Sequence, residues 1–267
     1  MAMDATCPFP AYLTIDDAPS ADSVRKLEAL EARGIKAIWF CRGEYLDQRP
    51  DVAVAIIRKG HVIGNHSWNH PSFSGMRLSK ARAQIQRTEA QIDLSYSRAG
   101  IPRPVKAFRF PWGDKGAGTH LDRSIQPGDA AQVRERQAVL REFGFVQPAF
   151  ENVDFPAFPG YDLAGDADTW FTFDAMEWAL VSRKPREGID SLDAVLARID
   201  AHFQAKRADA ATRDRGEVVI VHDFEATAPT FAPIIDRLAA NGARFSMPSF
   251  PASAPGKVVE KDLKRNG

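Results

Sequence analysis

Two imidazoles four residues apart, in His66-Ser67-Trp68-Asn69-His70, are the first residues of this chain whose spacing could do chemistry. In a helical turn that spacing sets both rings on one face, close enough to share a metal ion. A capping turn satisfied by Ser67 and Asn69 would use the same residues. A second feature, the adjacent carboxylates Asp16-Asp17, closes the apolar run Ala11-Tyr12-Leu13-Thr14-Ile15. Such a pair often does no more than cap the helix that follows. The combination says more than either part. Neighbouring side chains on extended backbone point in different directions. One carboxylate can therefore join His66 and His70 on a cation while the other faces a substrate. Two imidazoles and one carboxylate leave coordination positions open, as a catalytic metal requires and a structural one does not.

The elements that must position these residues alternate between short apolar runs and amphipathic stretches. Runs at 11–15, 37–40, 61–65, 105–110, 145–150, 170–173, 217–221 and 243–246 are predicted strands. Helices are predicted at about 22–33, through Val52, Ile56 and Ile57, and at about 79–98, 129–142, 190–207 and 229–240. This alternation predicts an α/β fold with a mainly parallel sheet, and about seven units suit a distorted (β/α)7-type barrel. Sites in such folds lie at the C-terminal ends of the strands. Asp16, Asp17, His66, Arg109, Asp174 and His222 each follow an apolar run. A single domain over 1–253 is expected, with a lid-like insertion at about 114–170 and a flexible tail at 254–267.

The chain has 267 residues, with 35 Lys+Arg against 35 Asp+Glu, so its formal net charge is zero. That balance argues against a broadly basic nucleic-acid binder. No apolar run reaches transmembrane length. The first residues, Met1-Ala2-Met3-Asp4, lack a signal peptide's basic and apolar regions, so a cytoplasmic location is expected unless a signal was trimmed away. Cys7 and Cys41 make no disulfide framework, and Cys41 is expected to be a buried thiol. His61 is expected to be structural, and His120 and His202 to lie on the surface or in loops. Asp162, Asp166 and Asp168 fall in the insertion, where they would touch a polar substrate or solvate the loop.

The sequence resembles the polysaccharide deacetylases, the NodB-homology or carbohydrate esterase family 4 domain. Thr14-Ile15-Asp16-Asp17-Ala18-Pro19 is similar to the first family motif, T-F-D-D-G-P, and Gly60 to His70 to the second, H-[ST]-x-x-H with its lead-in. Arg109-Phe110-Pro111-Trp112-Gly113 resembles the third, R-x-P-[YFW]-G. Asp174-Ala175-Met176-Glu177-Trp178 resembles the fourth, D-x-x-D-W, and Val219-Ile220-Val221-His222-Asp223 the fifth. The five occur in family order. Two positions depart from the pattern: Ala18 stands for Gly, which a methyl group tolerates only where φ is not positive, and Glu177 stands for Asp.

The resemblance implies a NodB-homology fold and a metal-dependent amidase that removes acetyl groups from N-acetylglucosamine-type units of a glycan. It implies Asp17, His66 and His70 as ligands of one divalent ion, with zinc expected and Co, Fe or Ni suited to the same donors. Asp16 would be the general base, held ionised by Arg109. His222 would protonate the leaving amine, oriented by Glu177 or Asp174. The backbone N–H of Trp112 would face the oxyanion. Trp112 and Trp178, with Pro111 and Ile220, would meet the acetyl group or the sugar. An alternative keeps the chemistry but takes a cytosolic or lipid-linked acylated amino sugar, as a deacylase or deformylase. A non-catalytic sugar-binding relative is a third reading, against which the complete set of roles weighs.

Overall fold

The computed structural model describes residues 8–118, 130–157, 161–182 and 186–251. His120 and the tail lie outside them. Six strands form one sheet: β1 (Phe9–Ala18), β2 (Ala37–Cys41), β3 (Val62–Asn65), β4 (Phe173–Asp174), β5 (Glu217–His222) and β6 (Ala243–Phe245). Their order is β3-β2-β1-β5-β4, with β6 on the N-terminal part of β1. Every pairing is parallel, as the alternation predicted. The sheet does not close among the described residues. Seven α-helices lie among the described residues: α1 (Ser23–Glu31), α2 (Gly43–Gln48), α3 (Pro50–Arg58), α4 (Leu78–Ala99), α5 (Ala130–Glu142), α6 (Leu192–Ala208) and α7 (Ala228–Ala240).

The sheet is parallel because its strands are apolar on both faces and the helices cover them. The sides of β1 and β5 bury Leu13, Ile15, Val219 and Val221 with Leu27 and Leu30 of α1 and Ile234 and Leu238 of α7. The other side of β2 and β3 packs Ile38, Phe40 and Val62 against Val105 and Ala107. Cys41 is a fully buried thiol, as expected, and burial pushes its pKa up. His61 is structural: its Nδ1 accepts hydrogen bonds from the Ala37 backbone N–H (3.0 Å) and the Trp39 indole (3.2 Å).

Gly64 lies where strand and loop pack too tightly for a side chain. A Cβ there would meet Phe40 Cδ1 at 2.7 Å and the Ala107 carbonyl at 3.2 Å. Gly64→Ala is expected to destabilise the fold by about 1–3 kcal/mol, read as a lower denaturant midpoint.

Several expected elements differ. The run 105–110 is buried but forms no strand; only Phe108 bridges to Asn65. Pro104 and Pro111 bracket it and cannot donate to a ladder. Arg109 is therefore carried by an irregular segment alongside β3, not by a strand end. In 145–150, Ala149 makes one antiparallel bridge to Ser249 beside Pro148. The strand expected at 170–173 is the two-residue β4. The short α2 was not expected. His202 is not in a loop: it sits half-buried on α6, its ring 4.3 Å from that of Phe173 and its Nε2 3.3 Å from Glu217. Asp166 and Asp168 neither solvate a loop nor face a substrate. They grip the fully buried Lys115 ammonium at 2.7 and 2.9 Å. Asp162 caps its own loop at the Gly165 N–H.

Candidate active site

β1 carries Asp16 and Asp17 just before its last residue, Ala18, and the pairing of β1 with β5 sets Asp16 beside His222. Asp17 has φ of 61°, and the register of β1 against β2 shifts between Ile15 and Ala18. Asp tolerates that left-handed backbone better than most residues. Ala18 is not itself left-handed, so its methyl group fits in place of the family's Gly. Among the described residues, seven non-glycine positions have left-handed φ; Asp17, Ser67, His70, Trp112 and Met176 belong to or adjoin the site. Each costs on the order of 1–3 kcal/mol, which the surrounding packing must offset. Strain of this kind concentrates where side chains are aimed for function.

The chain does not form a helical turn at 66–70, so the two rings of the i,i+4 pair meet by a different geometry. Left-handed backbone at Ser67 and His70 folds the segment back and brings the rings to a centroid distance of 4.9 Å. His66 Nδ1 bonds the Arg109 carbonyl at 2.9 Å, which leaves Nε2 for the site. One donor atom each from Asp17, His66 and His70 lie within 4.8 Å of one another. Asp17 Oδ1 stands 3.5 Å from His70 Nε2 and 4.0 Å from His66 Nε2. It is buried and has no hydrogen-bond partner, a state that costs stability unless a cation satisfies it. Burial pushes the pKa values of His66 and His70 down to about 4 and about 3, so both rings are neutral and able to ligate at pH 7. Burial raises the Asp17 carboxyl. These donors fit a single divalent ion.

Asp16 is treated differently by its surroundings. Burial would raise its pKa, but Arg109, with His66 and His222, outweighs burial and holds the carboxyl below the usual range. Arg109 Nη1 donates to Asp16 Oδ1 and to Thr14 Oγ1, both at 2.8 Å. Its Nε and Nη2 donate to the carbonyls of Thr169 and Trp170. The guanidinium lies over the Phe40 ring, 4.4 Å from its centroid. Arg109 is therefore fixed on several sides and fixes Asp16 in turn.

On β5, His222 Nδ1 is 3.1 Å from Glu177 Oε1, and Glu177 also accepts the His222 backbone N–H. Glu177, not Asp174, orients the ring. Asp174 accepts from the Met176 N–H at 2.7 Å and the Trp178 indole at 3.0 Å. Burial alone would lower the His222 pKa, but Glu177, Asp174 and Asp16 raise it to about 9. The ring is therefore protonated at neutral pH.

Asp16, Asp17, His66, His70, Arg109, Asp174 and His222 line one cleft with Trp112, Trp170, Phe171, Trp178, Val181 and Ile220, while Glu177 stands behind His222 and does not line it. Trp112 is 48% exposed, so it is no core aromatic. Pro111 is buried and does not line the cleft. Of the described residues in 114–170, only Trp170 reaches it; Val139, Leu140 and Phe145 pack instead against Phe108 and Phe110. Arg42, Arg186, Thr14 and Phe224 were not anticipated. Arg42 Nη1 lies 3.9 Å from Asp17 Oδ1, and the Phe224 ring is stacked 5.6 Å from His222. Arg42 directly follows β2, and position at a strand's C-terminal end was the signal that could have found it.

Chains of known structure share the architecture. A family 4 carbohydrate esterase from Streptomyces lividans, solved with acetate, superposes with a TM-score of 0.58 at 22% identity, covering 90% of this chain and 93% of that one. A family 4 pseudoenzyme from Bacillus anthracis superposes with the same score at 18% identity, over 90% of this chain and 64% of that one. The fold is thus the NodB-type barrel, whose ring is left open among the described strands. The family profile of the polysaccharide deacetylases matches residues 4–125. That match spans a little under half of the chain. A peptidoglycan-N-acetylglucosamine deacetylase of Bacillus cereus is 37% identical over 78 residues, 29% of this chain and 28% of that protein. A peptidoglycan-N-acetylmuramic acid deacetylase of Bacillus subtilis is 30% identical over 94 residues, 34% of this chain and 20% of that protein. The matched segments span less than a third of these relatives' own length.

Proposed function

We propose that this protein hydrolyses the N-acetyl group of an amino sugar within a glycan, with one divalent ion held by Asp17, His66 and His70. The observation that carries the reading is a pair of oppositely tuned groups on neighbouring strands. Asp16 is held ionised by Arg109, and His222 is held protonated by Glu177, with the three ligand atoms beside them. Environments that push two titratable groups apart assign base and acid.

The ion, when bound, supplies Lewis acidity toward the amide carbonyl and the attacking water. Asp16 accepts a proton from that water as its oxygen adds to the carbonyl carbon. Arg109 keeps Asp16 aimed and anionic. The backbone N–H of Trp112 is assigned to the developing oxyanion, its indole N–H being given to the His70 carbonyl. His222 gives its proton to the amine nitrogen as the C–N bond breaks, so acetate and a free amine leave. Trp112, Trp178 and Ile220 offer apolar walls for the acetyl methyl or the sugar ring.

The curated relatives act on peptidoglycan sugars, which supports a glycan substrate. The likeness to a pseudoenzyme means that fold alone does not decide catalysis. A second reading, a sugar that carries its own negative charge near the amide, is favoured by two guanidiniums in the cleft wall, Arg42 and Arg186. Acetate release from chito-oligosaccharides, peptidoglycan fragments and acetylated monosaccharides, with zinc and with chelator, tests both. Zinc-dependent release is expected. Release confined to acidic sugars would favour the second reading, and no release from any substrate would overturn both.

A further inference from the structure

Behind the cleft, Lys26 of α1 is almost completely buried, at 2% exposure. Its position on the apolar face, beside Leu27 and Leu30, would suit a leucine. A buried ammonium persists only when every proton finds an acceptor. Lys26 Nζ donates to Asp223 Oδ1 at 2.7 Å, to the Phe224 carbonyl at 3.1 Å and to the His222 carbonyl at 3.5 Å. Asp223 is itself saturated: Ser20 donates to it from both its backbone N–H and its hydroxyl, at 2.8 and 2.9 Å, and the Ser23 hydroxyl donates as well. The Asp223 N–H in turn donates to the Asp16 carbonyl at 2.8 Å.

All of these contacts converge on the three residues that carry the acid. The carbonyls on both sides of Asp223 and its carboxylate are gripped by one ammonium, and the ring of the third residue, Phe224, stacks on His222. The same loop ties to the residue that carries the base. Neither Lys26 nor Asp223 lines the cleft. We propose that Lys26 is a positioning residue: through Asp223 and the 222–224 backbone it holds His222 against Glu177 and in register with Asp16. This rests on the reading of His222 as the acid.

The groups that face His222 are Glu177 and Asp174 from the segment after β4, and Asp16 from β1. If the 222–224 backbone relaxes, the Glu177 contact loosens and burial is left to lower the ring's affinity for its proton. Lys26→Met alone leaves Asp223 as an unpaired buried charge and threatens folding. The informative protein is therefore the charge-neutral pair K26M/D223N, purified with zinc, with its fold checked by circular dichroism. Its His222 ring, followed by NMR across pH, is expected to titrate at least about one unit below wild type. Turnover is expected to fall about tenfold or more, with KM within about twofold, since a general acid contributes about 10²–10⁴. A folded variant with the wild-type ring titration would overturn the proposal, whatever its turnover. Wild-type protein inactive on every acylated sugar would instead defeat the functional reading, while the ring titration still decides the part assigned to Lys26.

Discussion

Asp16→Asn is expected to lower kcat about 10³-fold with the metal still bound, because only the proton acceptor is lost. The Asn carbonyl can still accept from Arg109, so the 2.8 Å contact need not open. The mirror variant, Asp17→Asn, is expected to do the reverse at the ion. Asp17 Oδ1 is the orphaned buried atom of the site, and an amide is a far weaker partner for a dication. Metal content measured by elemental analysis, alongside acetate release, separates the two. If Asp16→Asn loses the ion and Asp17→Asn keeps it, base and ligand have been exchanged.

The second large effect concerns pH. His222 must be protonated to act as an acid, so activity should persist up to its raised pKa of about 9 and fall as pH rises through that value. Glu177 is the largest influence opposing burial at this ring. Glu177→Gln keeps an oxygen near Nδ1 and removes the negative charge. The alkaline limb is then expected to move down by at least about one unit, since burial disfavours the charged ring. Assayed at pH 8, the variant should be slow; near pH 6 it should approach wild type. A kcat–pH profile checks this, and a limb unmoved by the substitution would remove His222 from the acid's role.

Most of the site was legible because its chemistry depends on residue type and chain order. Asp16-Asp17, the 66–70 pair, Arg109 and His222 converge because parallel strands all present their C-terminal ends to one side. What was not legible depends on backbone conformation. No pattern of apolar residues announces φ of 58° at His70 or 61° at Trp112. The helical spacing argument therefore named two imidazoles that do come together, but by another geometry. The run 105–110 had the expected burial but meets β3 only through a single bridge at Phe108, whereas in 145–150 only Phe145 and Pro148 are buried, and Pro148 has no N–H for a ladder. Asp166 and Asp168 were misread for a related reason. Charged residues in a loop look solvated until the fold brings opposite signs together. The choice between Glu177 and Asp174 depended on reach, and the longer side chain is the one that meets His222.

The two carboxylates of β1 are separated by a single peptide unit, in a strand clasped by β2, β5 and β6. The two groups proposed as proton acceptor and ion ligand therefore ride on one strand, and breathing of the sheet carries them together. The arrangement also limits evolutionary tinkering. Sliding the strand by one position would put one carboxylate in the other's place and bring Ile15 or Ala18 into the place left behind, so new specificities must come from the cleft walls and not from this pair.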